Sequence, residues 1–217
     1  MPVAKTPTIQ IDTLWVERWQ PELIGTLLFV LRAHQGRAQV LLIHKKTGHG
    51  QGRVNGPGGK LDAGESLTAC AKREVLEEVG LQVANPVCRA ELRFVELDGA
   101  QWLGYAYTAD QFSGQLIETP EAKPFWCDIE EIPFADMWPD DQLWLPAILQ
   151  QHVRQSFGQS FCKSLSKPLR QLDEQASGDK PLPLVGDFLF ENERLLEHRI
   201  YPDKIFSVAL DTVLDNT

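Results

Sequence analysis

The order of apolar segments along this chain predicts an α+β fold with helices packed on a sheet. Three observations lead there. Two short runs rich in strand formers, Ile24 to Leu31 and Val40 to His44, flank a polar turn. After them, Leu67, Ala71, Val75 and Val79 recur at every fourth residue, the spacing that gives a helix one buried side. Further alternating runs and a second helical segment complete the series. Strands, helix, strands and helix in that order suit an α+β arrangement or, more specifically, an α/β/α sandwich.

Residues 1–20 read as a partly ordered lead-in, ahead of a core domain over 21–153. The runs 24–31 and 40–44 are expected to pair as a hairpin through RAHQGRA. The following stretch, KKTGHGQGRVNGPGGKL (45–61), carries six glycines, which permit backbone shapes and close approaches denied to other residues. The helix is expected to start near Leu67, capped by Ser66, and to end at Gly80. Ala90 to Leu97 and Trp102 to Thr108 alternate like strands, with Asp98-Gly99 as the turn between them. Glu121 to Asp128 is a further strand. A helix near Gln142 to Gln155 follows, with Asp140 or Asp141 as its cap and Pro146 in its first turn. The polar, breaker-rich stretch 164–183 makes 154–184 an insertion or linker. The C-terminal segment, 185–217, is expected to pack on the core. Its apolar stretch 184–200 suits a hairpin around Glu191–Glu193 or a short helix, and 205–214 is a last apolar segment of open type.

Composition narrows the function. A chain of 217 residues with 43% hydrophobic residues can bury a sizeable core. Its net charge of −9 argues against non-specific binding to DNA or RNA. Any anionic substrate must then meet local positive charge or a metal. The cysteines, Cys70, Cys88, Cys127 and Cys162, form no CxxC pair, which fits a reducing compartment and no zinc site. No apolar run approaches the roughly 18 residues of a membrane span, and the N-terminus lacks an apolar signal core. A cytoplasmic protein with no membrane partner is expected.

The chemistry concentrates in REVLEEVGL. Glu74, Glu77 and Glu78 stand at i, i+3 and i+4, so they share one helix face and repel by a few tenths of a kcal/mol per pair. A hard divalent cation would remove that repulsion, although a solvated acidic face is the bland alternative for such a triplet alone. The flanks decide between them. From Gly59 to Leu81 the chain reads G-x5-E-x7-R-E-V-x-E-E-x-G-L. It strongly resembles the signature of the Nudix hydrolases. The resemblance implies an α/β/α sandwich with a mixed central sheet and a metal-binding loop-helix-loop. It also implies phosphoanhydride hydrolysis with Mg²⁺, or Mn²⁺, held by Glu74, Glu77, Glu78 and the Gly58 carbonyl. One of the glutamates would act as base, with Glu78 favoured. Arg73 would fix the glutamates by ion pairing, and Glu65 would orient them or mark the start of the helix rather than hold the metal.

Two further stretches, KKTGHGQGRVNGPGGK and PFADMWPDD, resemble the mammalian-type oxidised-purine nucleoside triphosphate diphosphatases. That resemblance covers roughly 26–150 and resumes weakly at 186–200. It implies cleavage of 8-oxo-dGTP and 2-hydroxy-dATP to the monophosphate and pyrophosphate. It places Asn55, Asp140 and Asp141 on the base edge, Trp138 on the base face, Glu121 at an additional metal site, and Thr26 and Lys45 in the pocket lining. Gly58, Gly59 and Lys60 complete the expected substrate site, and Lys45, Lys46, Arg53 and Lys60 are expected to face phosphates. His49, Val54 and Pro57 depart from the pattern by standing where the similar enzymes carry aromatics. Two other functions stay open. One is a Nudix hydrolase of a dinucleoside polyphosphate or nucleotide sugar. The other is a non-catalytic regulatory module with a C-terminal DNA-binding part. The latter is opposed by eight Lys or Arg against ten Asp or Glu in 151–217. Oligomeric state is not readable from the sequence.

Overall fold

The first strand is fully buried on both faces at its centre, and this sets the architecture. The computed structural model describes residues 19–97, 99–158, 161 and 183–201. Strand β1, Leu23–His34, pairs antiparallel with β2, Arg37–Lys45, through a turn at Gln35 (φ 49) and Gly36 (φ 77). Two left-handed residues are what a tight hairpin with matching twist requires. Along β1 the side chains alternate. Leu28 and Val30 pack against one layer, Phe29 and Leu31 against the other.

Helix α1, Leu67–Val79, lies on the first face, where Leu67, Ala71, Val75 and Val79 meet Leu28, Val30, Leu41 and Ile43. Ser66 caps it by accepting a hydrogen bond from the Ala69 N–H, and Gly80 ends it in the left-handed region at φ 77, as expected. Helix α2, Asp141–Ser156, lies on the other face, where Trp144, Leu145, Ile148, Leu149 and Val153 join Phe29, Leu31 and Leu42. The result is the α/β/α sandwich that the element order predicts.

The remaining strands are β3 (Val54–Asn55), β4 (Gly58–Lys60), β5 (Leu81–Ala84), β6 (Val87–Glu96), β7 (Gln101–Ala109), β8 (Gln111–Gly114), β9 (Ala122–Asp128), β10 (Leu184–Glu191) and β11 (Arg194–Tyr201). The main sheet runs β11-β10-β6-β7-β1-β2-β3, with β4 on β1 and β9 on β2. It is mixed, because β1 runs parallel to β7 and β10 parallel to β6 while the other pairs are antiparallel. A small separate sheet pairs β5 with β8. Its two strands have four residues each, too short for alternation to signal them in the sequence.

Several expectations need correction. Pro146 lies inside α2, a turn beyond the first, where it has no N–H to offer the Gln142 carbonyl. Asp140 holds the N-cap position of α2, yet neither Asp140 nor Asp141 caps the helix with its side chain, because both carboxylates are engaged elsewhere. At the C-terminal side the hairpin reading holds and the helix does not. Strands β10 and β11 turn at Asn192 (φ 50) and Glu193 (φ 61). The expected lead-in over 1–18, the heart of the expected insertion (162–182), Asp98 and the segment 205–214 lie outside the described residues.

Candidate active site

The glycine-rich loop and α1 meet where a side chain larger than hydrogen has no room. A Cβ on Gly59 would stand 2.3–2.5 Å from the Glu74 carboxylate, and one on Gly58 would stand 2.0 Å from the Thr26 carbonyl oxygen. The loop is therefore pressed against both β1 and the acidic helix face. Glu78 is buried. Its Oε1 accepts from Lys45 Nζ at 3.0 Å and its Oε2 from the Gly58 N–H at 2.9 Å.

Arg73 joins the rest. Its Nε and Nη2 each donate to Glu65 at 2.9 Å, its Nη1 donates to Glu74 at 2.8 Å and Glu77 at 3.1 Å, and its Nη2 also reaches the Lys60 carbonyl at 3.1 Å. These bonds hold the Arg73 pKa above its ordinary value and the Glu65 carboxyl below its own. Burial raises the Glu74 carboxyl, with the Glu78 and Glu77 charges adding to it against Arg73.

The three helix glutamates thus share a face, but their charges are answered by Lys45 and Arg73. Among the described residues no three His, Cys, Asp or Glu side chains converge as a ready cation cage. The donor chemistry nevertheless fits a hard cation. Glu74, Glu77, Glu78, Glu121 and the Gly58 carbonyl offer only oxygen, the ligand type that Mg²⁺ and Mn²⁺ take.

A cavity of about 710 Å³ opens beside this end. Thr26, Lys45, Asn55, Gly58, Gly59, Lys60, Glu121, Trp138, Asp140 and Asp141 all line it. At its inner end Asp140 accepts from Trp144 Nε1 at 2.9 Å, and Asp141 accepts from the Trp138 N–H at 3.1 Å. Burial pushes the Asp140 carboxyl up to about 6, against the Trp144 N–H and the Arg53 charge. Asp141 is driven well above the usual carboxylate range, first by burial and then by the charge of Asp140. Asn55 accepts from the Gly56 N–H through Oδ1 at 2.8 Å, which leaves its amide nitrogen to offer a ligand.

The raised Asp140 pKa has a consequence for stability. In the unfolded chain the ordinary value is 3.8, so the folded state binds the proton more tightly. Stability from this group is complete below the unfolded value and is lost as pH rises through about 6. Asp140→Asn keeps an acceptor for Trp144 and removes the charge. It is expected to be more stable than the parent at pH 8 by on the order of 1–3 kcal/mol, and scarcely so at pH 4, by denaturant unfolding.

The NUDIX domain model matches residues 23–148. The chain belongs to the Nudix family. It is 40% identical over 126 residues to the oxidized purine nucleoside triphosphate hydrolase of Danio rerio, covering 58% of this chain and 80% of the relative. Against the Mus musculus protein of that name, identity is 40% over 127 residues, covering 58% and 79%. The fold is similar to that of a mutator MutT protein from Bacillus halodurans, with a TM-score of 0.60 at 24% identity over 84% of this chain and 99% of that one. Nudix membership makes the chain a hydrolase of a class that acts on small nucleotide substrates with divalent cations. No helix among the described residues is long and apolar enough to cross a membrane.

Some expected neighbours fall outside the Nudix cavity. Lys46 turns to Glu118 and the Thr119 carbonyl, and Arg53 stacks on Trp138 while pairing with Glu193, so neither lines it as a phosphate contact. Val54 is buried in the core against α2, and Pro57 gives its carbonyl to the Leu28 N–H. Of the three departures, only His49 reaches the wall. The sequence reading missed Trp102, Phe94, Phe190, Glu96 and Glu193, which also line the cavity. Trp102 lies near the start of a strand, where an indole ordinarily reads as core. Glu193 meets Arg53 across 140 positions, a pairing with no local signal.

Proposed function

We propose that this Nudix hydrolase cleaves oxidised purine nucleoside triphosphates, such as 8-oxo-dGTP and 2-hydroxy-dATP, to the monophosphate and pyrophosphate. The observation that carries the reading is the buried Asp140–Asp141 pair beside Trp138, in the same cavity as the glycine loop and Lys45. The names of the 40%-identical relatives support it. An indole offers a flat face to a purine, worth about 1–3 kcal/mol per stacked base. Asn55 gives a donor to the base edge. With Asp141 protonated and Asp140 sharing the site, the pair both donates and accepts, so one pocket serves oxo and hydroxy purines.

At the phosphate end, Lys45 and Lys60 supply local positive charge in a chain of net charge −9. Glu74, Glu77 and Glu78, with the Gly58 carbonyl and Glu121, would hold Mg²⁺ or Mn²⁺. When bound, the cation supplies charge neutralisation at the phosphate oxygens and lowers the pKa of a coordinated water. Arg73 positions the glutamates, and Glu78 takes a proton from the attacking water.

The test is pyrophosphate release from 8-oxo-dGTP, 2-hydroxy-dATP, dGTP, dATP and a dinucleoside polyphosphate, with and without a chelator. Preference for the two oxidised purines, abolished by chelation, is expected. Activity confined to the dinucleotide would move the chain to another Nudix substrate class. Asp141→Asn removes the movable proton: the amide oxygen keeps the Trp138 N–H and the NH₂ is left as a fixed donor, so the ratio of kcat/KM for the two oxidised purines should shift about tenfold, a loss of roughly 1.4 kcal/mol on one of them. An unchanged ratio and pH profile would remove the shared-proton account.

A further inference from the structure

One ring in the cavity, that of His49, takes no part in the proposed hydrolysis. The His49 ring lies nearly parallel to two indoles. Its centroid is 4.9 Å from that of Trp102 with planes 20° apart, and 5.0 Å from that of Trp138 with planes 17° apart. One face of an imidazole is too small to carry two parallel indoles, so they cover opposite faces. A cation closes each end of the pile. Lys60 Nζ sits 5.3 Å from the Trp102 ring centre, and the Arg53 guanidinium carbon 4.2 Å from that of Trp138.

The backbone aims His49 into this gap. Gly48 (φ 73) and Gly50 (φ 79) flank it in the left-handed region, and a Cβ on Gly50 would stand 3.3 Å from Trp138 Nε1. The residue as a whole is nevertheless exposed. Covering of the faces lowers the imidazole pKa, with Glu193 opposing and Lys45, Lys60 and Arg53 adding to the shift. The ring in the gap is therefore a neutral, flat heterocycle.

Building on the purine reading, we infer that His49 is a displaceable place-holder for the base, and that Trp102 is a second stacking wall opposite Trp138. The gap has the thickness of one aromatic ring. A purine that enters it covers more of each indole than an imidazole does. The expelled His49 gives up its two ring contacts and little else, because its edge already meets water and glycines on both sides let the loop swing. A place-holder of this kind lowers affinity by the fraction of molecules in which the gap is filled, and by the same factor for every base that uses the gap. A residue that touched the bound base would do the opposite.

Binding of 8-oxo-dGMP and dGMP in chelator, read by calorimetry, tests this without turnover. His49→Ala is expected to tighten both by a common factor of about ten, since two aromatic contacts no longer compete. In that background Trp102→Ala is expected to weaken both about tenfold. Unchanged or weaker binding in His49→Ala, a gain confined to one nucleotide, or an inert Trp102 would overturn the inference and leave the purine reading intact. Absence of purine binding in both the parent and His49→Ala would overturn the two together. His49→Ser, measured beside His49→Ala, guards against a fault particular to one substitution.

Discussion

Glu78→Gln is expected to lower the rate of pyrophosphate release about 10²–10⁴-fold, the range for removing a general acid–base group. The geometry gives the reason. Both oxygens of the buried carboxylate accept, one from Lys45 Nζ and one from the Gly58 N–H. An amide in that position cannot take a proton, and its NH₂ would be a donor facing a donor. Leaving one such group unmatched costs about 1–3 kcal/mol. Activity and thermal unfolding must therefore be read together. A large fall in kcat with the folded state retained supports Glu78 as the base. Near-parent kcat in the variant would pass that role to Glu74 or Glu77.

The second large effect separates two adjacent glycines. Gly58→Ala drives a methyl to within 2.0 Å of the Thr26 carbonyl and 2.9 Å of Leu27 Cα, both backbone atoms of a central strand. Neither can move without breaking the β1–β4 pairing. A loss of more than about 4 kcal/mol is expected, enough to prevent accumulation of folded protein. Gly59→Ala instead meets the Glu74 carboxylate, the far end of a side chain that can swing. It should fold, with a stability loss of about 1–2 kcal/mol, and lose most of its activity because Glu74 is displaced. Urea unfolding beside a turnover assay distinguishes the two. Equal destabilisation by both changes would contradict the different hardness of their neighbours.

What was legible in the sequence was what chemistry writes locally. The i, i+3, i+4 carboxylates, the Ser66 cap and the Gly80 stop lie within one helix, and all three came through. So did β1 and β2, whose apolar runs need no distant partner to be recognised. The capping role given to Asp140 or Asp141 failed because two nearby donors outside the helix's first N–H groups, the Trp144 indole and the Trp138 backbone, claimed both side chains. Trp144 lies one helical turn from Asp140, and the Trp138 N–H takes Asp141, so burial rather than helix termination governs the pair. Strands β5 and β8 were invisible because each gains its meaning only from the other. The Trp102–His49–Trp138 pile was equally hidden, since its members sit on one strand and two separate loops that the fold alone brings together.

The hairpin of β10 and β11 ties two properties that are usually separable. Strand β10 covers the edge of β6 with a parallel ladder, and its far end brings Phe190 edge-on to Trp138 and Glu193 to Arg53. An uncovered β6 would present a row of free backbone groups to any passing chain, the usual origin of sheet-to-sheet aggregation. Cover of the β6 edge and the shape of the cavity are thus both set by the same eighteen-residue ribbon, 184–201. A library screened only for soluble expression would retain intact cavities without being asked to, and variants that cripple the ribbon would vanish from it before their chemistry could be assayed.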